Sequence, residues 1–321
     1  MMTNLNRAET ARWLEARNDF VILTHRKPDG DTVGTAAALC RGLRAAGKRA
    51  WILENPELTP RFAYLHDGLT CPEVKQEHTL VSVDVAAPNM LPKSFEPLLG
   101  RIGLRIDHHG SATGFTDFAL VDPLAGACAE IVWDVLTEMG VTMDAAMAEA
   151  VYTAVSTDTG CFRFANTTEH TFLVASHCAA AGAPVFQLNR KLFETVSRSR
   201  LRLQGWLVEN CRMLLDGRVA VCPIPKAVEE ALGVTEDDTD NIASFLRTLE
   251  GVEMAATLRE NADGTVKISV RSDPTRDSGK VCAVFGGGGH KGAAGATMQE
   301  SLNEAADILA EEIRKLFAGE V

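Results

Sequence analysis

Within the seven residues from His25 to Asp31 the chain carries one imidazole and two carboxylates at H-x3-D-x-D spacing. Pro28 and Gly30 bend this stretch tightly, so that Asp29 and Asp31 project into one pocket. Two further clusters follow the same plan. Asp84 stands just after the apolar run 79–83, and Asp107, His108 and His109 follow the apolar run 102–106. Asp158 closes a later helical segment. Donors of this kind, oxygen-rich with some imidazole and no thiolate, suit Mn²⁺ or Mg²⁺, with Co²⁺ or Zn²⁺ further down the order.

Electrostatics gives the same reading. Two unit charges about 4 Å apart repel by about 4 kcal/mol at an effective dielectric near 20. Four or five converging aspartates therefore stay ionised only if cations sit among them. The spacing allows Asp29 and Asp31 to reach one ion each. Asp84 has lone pairs enough to bridge both, and His108 with Asp158 would complete the second ion's surroundings. Taken singly, each residue has a plainer role: an Asp after a strand is more often a cap or turn residue. Their joint occurrence at successive strand ends carries the inference.

A second cluster lies near the C-terminus. Gly286, Gly287, Gly288 and Gly289 precede His290, Lys291 and Gly292. Unhindered glycine amides can approach an anion closely, and an imidazolium adds charge. Arg271, at the end of an apolar strand pattern, could fork onto the same phosphate or carboxylate. A glycine run alone is more often a flexible loop, and this one is not a GxGxxG fingerprint, because a helical pattern and not a strand precedes it.

These residues need a scaffold that brings strand ends together. Residues 6–18 read as a short amphipathic helix with Asn6 and Glu9 at capping-box spacing. Apolar strands are expected at 20–24, 49–53, 79–85, 102–106 and 118–121, with a helix over 31–47 and two more over 125–156, parted at Gly140. Near-continuous apolar strands alternating with helices predict an α/β fold built on a mostly parallel sheet with helices on both faces. In such sheets ligands bind beyond the carboxyl ends of the strands. Helices continue to about residue 215, and strands at 218–224, 252–258 and 266–271 with a last helix over 302–317 make a smaller α/β domain. The expected organisation is a catalytic domain over 1–190, a helical linker over 191–215 and a substrate-binding domain over 216–321.

Composition narrows the function classes. With 321 residues and 46% hydrophobic content the chain can bury full cores. Its formal charge of −11 argues against a long nucleic-acid track, which needs many Lys and Arg contacts. The eight cysteines are scattered without a CxxC pair and read as reduced thiols. Cys161 reads as an incidental thiol. No signal peptide or membrane span is legible, so a cytoplasmic protein is expected, and a homodimer on general grounds.

The set HRKPDGD, VDVA, IDHHGS, STDTG and GGGGHKGAAG, in that order across nearly the whole chain, resembles the DHH phosphoesterases that carry a DHHA1 domain. Among them it is most similar to the NrnA-type enzymes, which cleave very short oligoribonucleotides and dephosphorylate 3′-phosphoadenosine 5′-phosphate (pAp). RecJ-type exonucleases and cyclic-dinucleotide phosphodiesterases are related alternatives. The resemblance implies that His25, Asp29 and Asp84 bind one Mn²⁺ and that Asp31, Asp84, His108 and Asp158 bind a second, with Mg²⁺ or Co²⁺ as substitutes. It implies that Asp107 orients an imidazole and His109 faces the substrate phosphate. Arg271, Gly287, Gly288, Gly289 and His290 would grip the nucleotide, setting a ruler for short RNA substrates. Thr32 and Thr35 depart from the Ala and Ser common in the family. A Rossmann oxidoreductase would need a glycine fingerprint after the first strand, where His25 to Asp31 stands instead, and the intact ligand set argues against an idle nucleotide sensor.

Overall fold

The computed structural model describes residues 2–110, 114–239 and 241–319, with the side chain of His290 also outside the description. Ser111 of the IDHHGS motif lies outside the described residues. The chain divides into two compact units, Met1–Glu194 and Thr195–Val321.

The first unit is built on seven strands: β1 (Thr3–Asn4), β2 (Phe20–Leu23), β3 (Ala50–Leu53), β4 (Thr70–Cys71), β5 (Thr79–Val83), β6 (Ile102–Asp107) and β7 (Phe118–Val121). They form one sheet in the order β1-β7-β6-β5-β2-β3-β4, and every pairing is parallel. All four residues of β2 are buried, as a central strand covered on both faces requires. One core face joins Phe20 and Ile22 to the Ala- and Leu-rich helix Gly30–Ala45 and the helix Ala145–Asp158. The opposite face packs Val21 and Leu23 with Leu91, Phe95 and Ile102. The α/β class and the mostly parallel sheet agree with the sequence reading.

From β2 the chain runs to β3 and β4 on one side and to β5, β6 and β7 on the other. The switch point of the sheet thus falls between β2 and β5, and sheets of this kind form their ligand crevice at such a point, beyond the carboxyl ends. His25 leaves β2 and Asp84 leaves β5, so these residues flank that crevice. A close helix–helix contact completes the corner. A Cβ on Gly30 would collide with the Thr157 side chain, so glycine here lets the helix Gly30–Ala45 press against Ala145–Asp158. That contact brings Asp31 and Asp158 to the same end. The first helix, Arg7–Glu15, has the expected Asn6–Glu9 capping box, with Glu9 N donating to Asn6 Oδ1 and Asn6 N to Glu9 Oε2.

The second unit holds β8 (Arg212–Leu214), β9 (Val219–Ile224), β10 (Met254–Glu260), β11 (Val266–Ser272), β12 (Gly288–His290) and β13 (Ala293–Met298). Their order is β12-β13-β11-β10-β9-β8, with β9 and β10 parallel and the other pairs antiparallel. The helix Leu302–Ala318 packs Leu309 and Ile313 on one face of this sheet. On the other face lie Leu203 and Leu207 of the helix Arg198–Asn210, beside Ala220, Cys222 and Ile224. The segment expected as a linker therefore contributes core to the second unit. Among the described residues no single helix is long and apolar enough to cross a membrane.

Candidate metal centre

His25 follows the fully buried β2 and is itself buried. Its Nδ1 donates to the carbonyl of Arg26 at 2.7 Å, which leaves Nε2 as the nitrogen facing the crevice. Nε2 lies 3.6 Å from Asp29 Oδ1 and 3.5 Å from Asp84 Oδ2. Asp29 caps the helix Gly30–Ala45, accepting the amides of Asp31 and Thr32 at 3.1 Å each. Its side chain remains 60% exposed, so the capping carboxylate also faces outward into the crevice.

Asp84 holds the centre. It adopts a left-handed backbone with φ of 57°, and its amide donates to the Ile106 carbonyl, which ties β5's end to β6. Oδ2 faces His25, while Oδ1 lies 3.5 Å from both His108 Nε2 and His109 Nδ1. Asp84 is buried, and its Oδ1 has no hydrogen-bond partner among the described residues. A buried carboxylate oxygen without a donor is costly unless a cation takes that role.

His108 Nδ1 donates to the Ala125 carbonyl at 3.2 Å, again turning Nε2 toward the acids. Nε2 lies 3.6 Å from Asp31 Oδ2, 3.5 Å from Asp84 Oδ1 and 3.7 Å from Asp158 Oδ2. Asp31 is almost fully buried and accepts Thr35 Oγ1, Cys128 N and Ala129 N. It therefore also anchors the start of the helix Cys128–Glu138. Asp107 is fully buried and takes the Nδ1–H of His109 at 2.8 Å and the His109 amide at 3.2 Å. The imidazole that Asp107 orients is thus His109.

The acids and imidazoles perturb one another strongly. Burial, then the charges of Asp84, Asp158 and Asp29, push the Asp31 carboxyl well above the ordinary range. Burial, with Asp84 and Asp29, raises Asp158 to about 7. Burial works against the His108 imidazolium, yet Asp31, Asp84 and Asp158 raise it to about 9. Three overlapping donor groups result: His25, Asp29 and Asp84; Asp31, His108 and Asp158; and Asp84, His108 and His109. Within each, ligand atoms lie within 4.8 Å of one another. The chemistry of these donors fits divalent cations. Cys161 belongs to none of these donor groups.

This succession of donors at the ends of β2, β5 and β6 coincides with a known profile. The DHH family, N-terminal domain, matches residues 19–155. The DHHA1 domain matches residues 217–317. The bifunctional oligoribonuclease and PAP phosphatase NrnA of Thermus thermophilus is 33% identical over 92% of this chain and 89% of its own length. The chain belongs to the DHH family. The Bacillus subtilis protein of the same description is 26% identical, covering 95% of this chain and 97% of the relative. An exopolyphosphatase-related protein from Bacteroides fragilis shares the fold, with a TM-score of 0.84 and 23% identity over 96% of this chain and 95% of that one.

In this DHH-family chain some supporting residues were invisible to sequence reasoning. Asn55 donates from Nδ2 to Thr24 Oγ1 and to the His25 carbonyl, both at 2.9 Å, and so holds the loop after β2. Asn166 donates to the Gly126 and Asp158 carbonyls and reaches Asp158 Oδ2 at 3.4 Å. The polar stretch Asn166-Thr167-Thr168 that contains it is a local signal too common to single it out.

In the DHHA1 unit, Arg271 lies inside β11 and donates to Asn241 Oδ1 and to the Val270 carbonyl. The glycine run is divided. Gly286 and Gly287 form a turn after the helix Ser278–Ala283, while Gly288–His290 form an edge strand on β13. The expectation of an open loop misses β13, whose Ala- and Gly-rich sequence carries little strand propensity. The side chain of His290, expected to face the anion, lies outside the described residues.

Proposed function

We propose that this chain is a Mn²⁺-dependent hydrolase of short nucleotidic phosphoesters, releasing 5′-mononucleotides from very short RNA and phosphate from pAp. The observation that carries the reading is Asp84, whose two oxygens face different imidazoles inside a set of seven converging donors. The family membership and the description of the Thermus relative support the same chemistry.

His25, Asp29 and Asp84 would hold one divalent ion, and Asp31, Asp84, His108 and Asp158 the other, with Mg²⁺ or Co²⁺ as substitutes. Bound there, such a pair would lower the pKa of water, so that a nucleophile is available near neutral pH, and would offset charge on the phosphoryl oxygens. The chain's own residues do the positioning. Arg26 and Ala125 carbonyls fix the tautomers of His25 and His108, so each offers Nε2. His109, held by Asp107, carries a proton more readily than free imidazole: burial opposes this, but the Asp107 hydrogen bond and the Asp84 charge prevail. It would donate that proton to a phosphoryl or leaving oxygen. Arg271 and the glycine run Gly287–Gly288–Gly289 with His290 would bind the far end of the nucleotide.

The net charge of −11 favours short substrates over a long threaded strand. Hydrolysis of pAp and of two-, five- and twenty-nucleotide RNA with Mn²⁺, with and without chelator, tests the reading. Fast cleavage of pAp and the dinucleotide, abolished by chelator, is expected. Equal rates at all three RNA lengths would refute the short-substrate preference, and activity that survives chelation would refute the metal dependence.

A further inference from the structure

Asp158 is followed by a turn in which Gly160, Cys161 and Phe162 all have positive φ, at 58°, 58° and 62°. Consecutive left-handed residues are unfavourable for any side chain and most of all for a bulky one. Such a turn persists only where its surroundings hold it, and strained turns gather at ligand sites. Here Phe162 is the anchor. Its ring lies 5.9 Å from Tyr152 and stacks on Phe172 at 5.4 Å, packed against the core.

The turn then throws the next aromatic outward. Phe164 lies against Gly160, where any Cβ would collide with its ring, and it is 43% exposed. A second loop adjoins it. Asn166 Nδ2 donates to the Gly126 carbonyl at 2.8 Å, tying the 158–166 turn to the loop that carries Leu124, which is 84% exposed. The same amide reaches Asp158 Oδ2, a donor of the metal centre. A partly exposed aromatic ring and an exposed Leu thus sit on two joined loops that also deliver Asp158 and the Ala125 carbonyl that orients His108.

We propose that Phe164 is a stacking platform for the nucleobase next to the phosphate held at the metal centre, with Leu124 extending the apolar rim. The inference rests on the phosphoester reading above and adds to it the part of the substrate that is not phosphate. A planar base suits this place because every base offers a π-face to an aromatic ring without needing a specific hydrogen bond. A protein partner does not, since two side chains fall far short of the roughly 800 Å² per partner that a stable interface buries. Base-tolerant stacking also fits an enzyme that must accept short RNA of any sequence.

The test is isothermal titration of AMP and of ribose 5-phosphate, which keeps the phosphate and lacks the base, both with Mn²⁺ present. The native chain should bind AMP about tenfold more tightly than ribose 5-phosphate. Phe164→Ala and the bulkier Phe164→Leu should lose this preference while still binding ribose 5-phosphate, and Phe164→Trp should keep it. Thermal melting of each variant checks that the fold is intact. A preference undiminished in Phe164→Ala and Phe164→Leu overturns the platform, and so does equal weakening of both ligands, which would make the ring merely structural. A native chain that binds neither ligand would instead bring down the phosphoester reading, and the platform with it.

Discussion

Asp31 Oδ2 accepts the backbone amide of Cys128 at 2.7 Å. One carboxylate therefore serves the fold and the site together, capping the helix Cys128–Glu138 while facing His108 Nε2 at 3.6 Å. Asp158, at 30% side-chain exposure, faces the same imidazole without such a structural duty. The two acids should separate under mutation. At pH 5 in chelator, where much of the mutual repulsion is quenched, Asp31→Ala should cost about 1–2 kcal/mol by orphaning buried amides. Asp158→Asn should cost close to nothing. Urea unfolding measures both, and equal losses would contradict the double role of Asp31.

Asp84→Asn keeps the shape of the side chain and tolerates the left-handed backbone that Asp84 adopts. It removes the charge between His25 and His108. Turnover should fall by more than about a hundredfold while the melting temperature in chelator is unchanged or higher. Near-native turnover with added Mn²⁺ would remove Asp84 from its bridging place.

Metal uptake should release protons. At neutral pH in the protein alone, His108, raised to about 9, is protonated, and Asp158, raised to about 7, is protonated about half of the time. A bound cation requires the carboxylate and the neutral imidazole, so these protons must leave. The sign follows: lowering the pH from 8 to 6 strengthens proton competition for both groups and weakens Mn²⁺ binding. Titration in buffers of different ionisation enthalpy counts the protons released, and affinity independent of pH would contradict the coupling.

Asp107→Asn should lower kcat about ten- to a hundredfold while leaving Mn²⁺ affinity nearly unchanged, because Asp107 holds His109. A lost metal with unchanged kcat per bound ion would instead make Asp107 part of the metal shell.

Much of this site was legible because its donors stand at strand ends. An apolar run followed by Asp or His is a local pattern, and the parallel sheet brings such ends together by construction, which is why His25, Asp84 and His108 could be singled out from sequence. What escaped depends on contacts distant in sequence or on weak local signals. Asn55 and Asn166 act through backbone carbonyls 30 and 40 residues away, and polar loop residues of that kind occur everywhere. β13, made of Ala, Gly, Thr and Met, has no alternation to reveal it, so the glycine run before it read wholly as loop. The helix Arg198–Asn210 read as a linker because it is charged and rich in Arg, yet Leu203 and Leu207 are fully buried.

The converging acids and imidazoles are read here as a cradle for two divalent ions. Equilibrium dialysis of the native chain and of Asp84→Asn against Mn²⁺, with the ions counted per chain, tests it most directly. Two ions per native chain and fewer in the variant are predicted. A native chain that retains none, or a variant that retains two, would contradict the account.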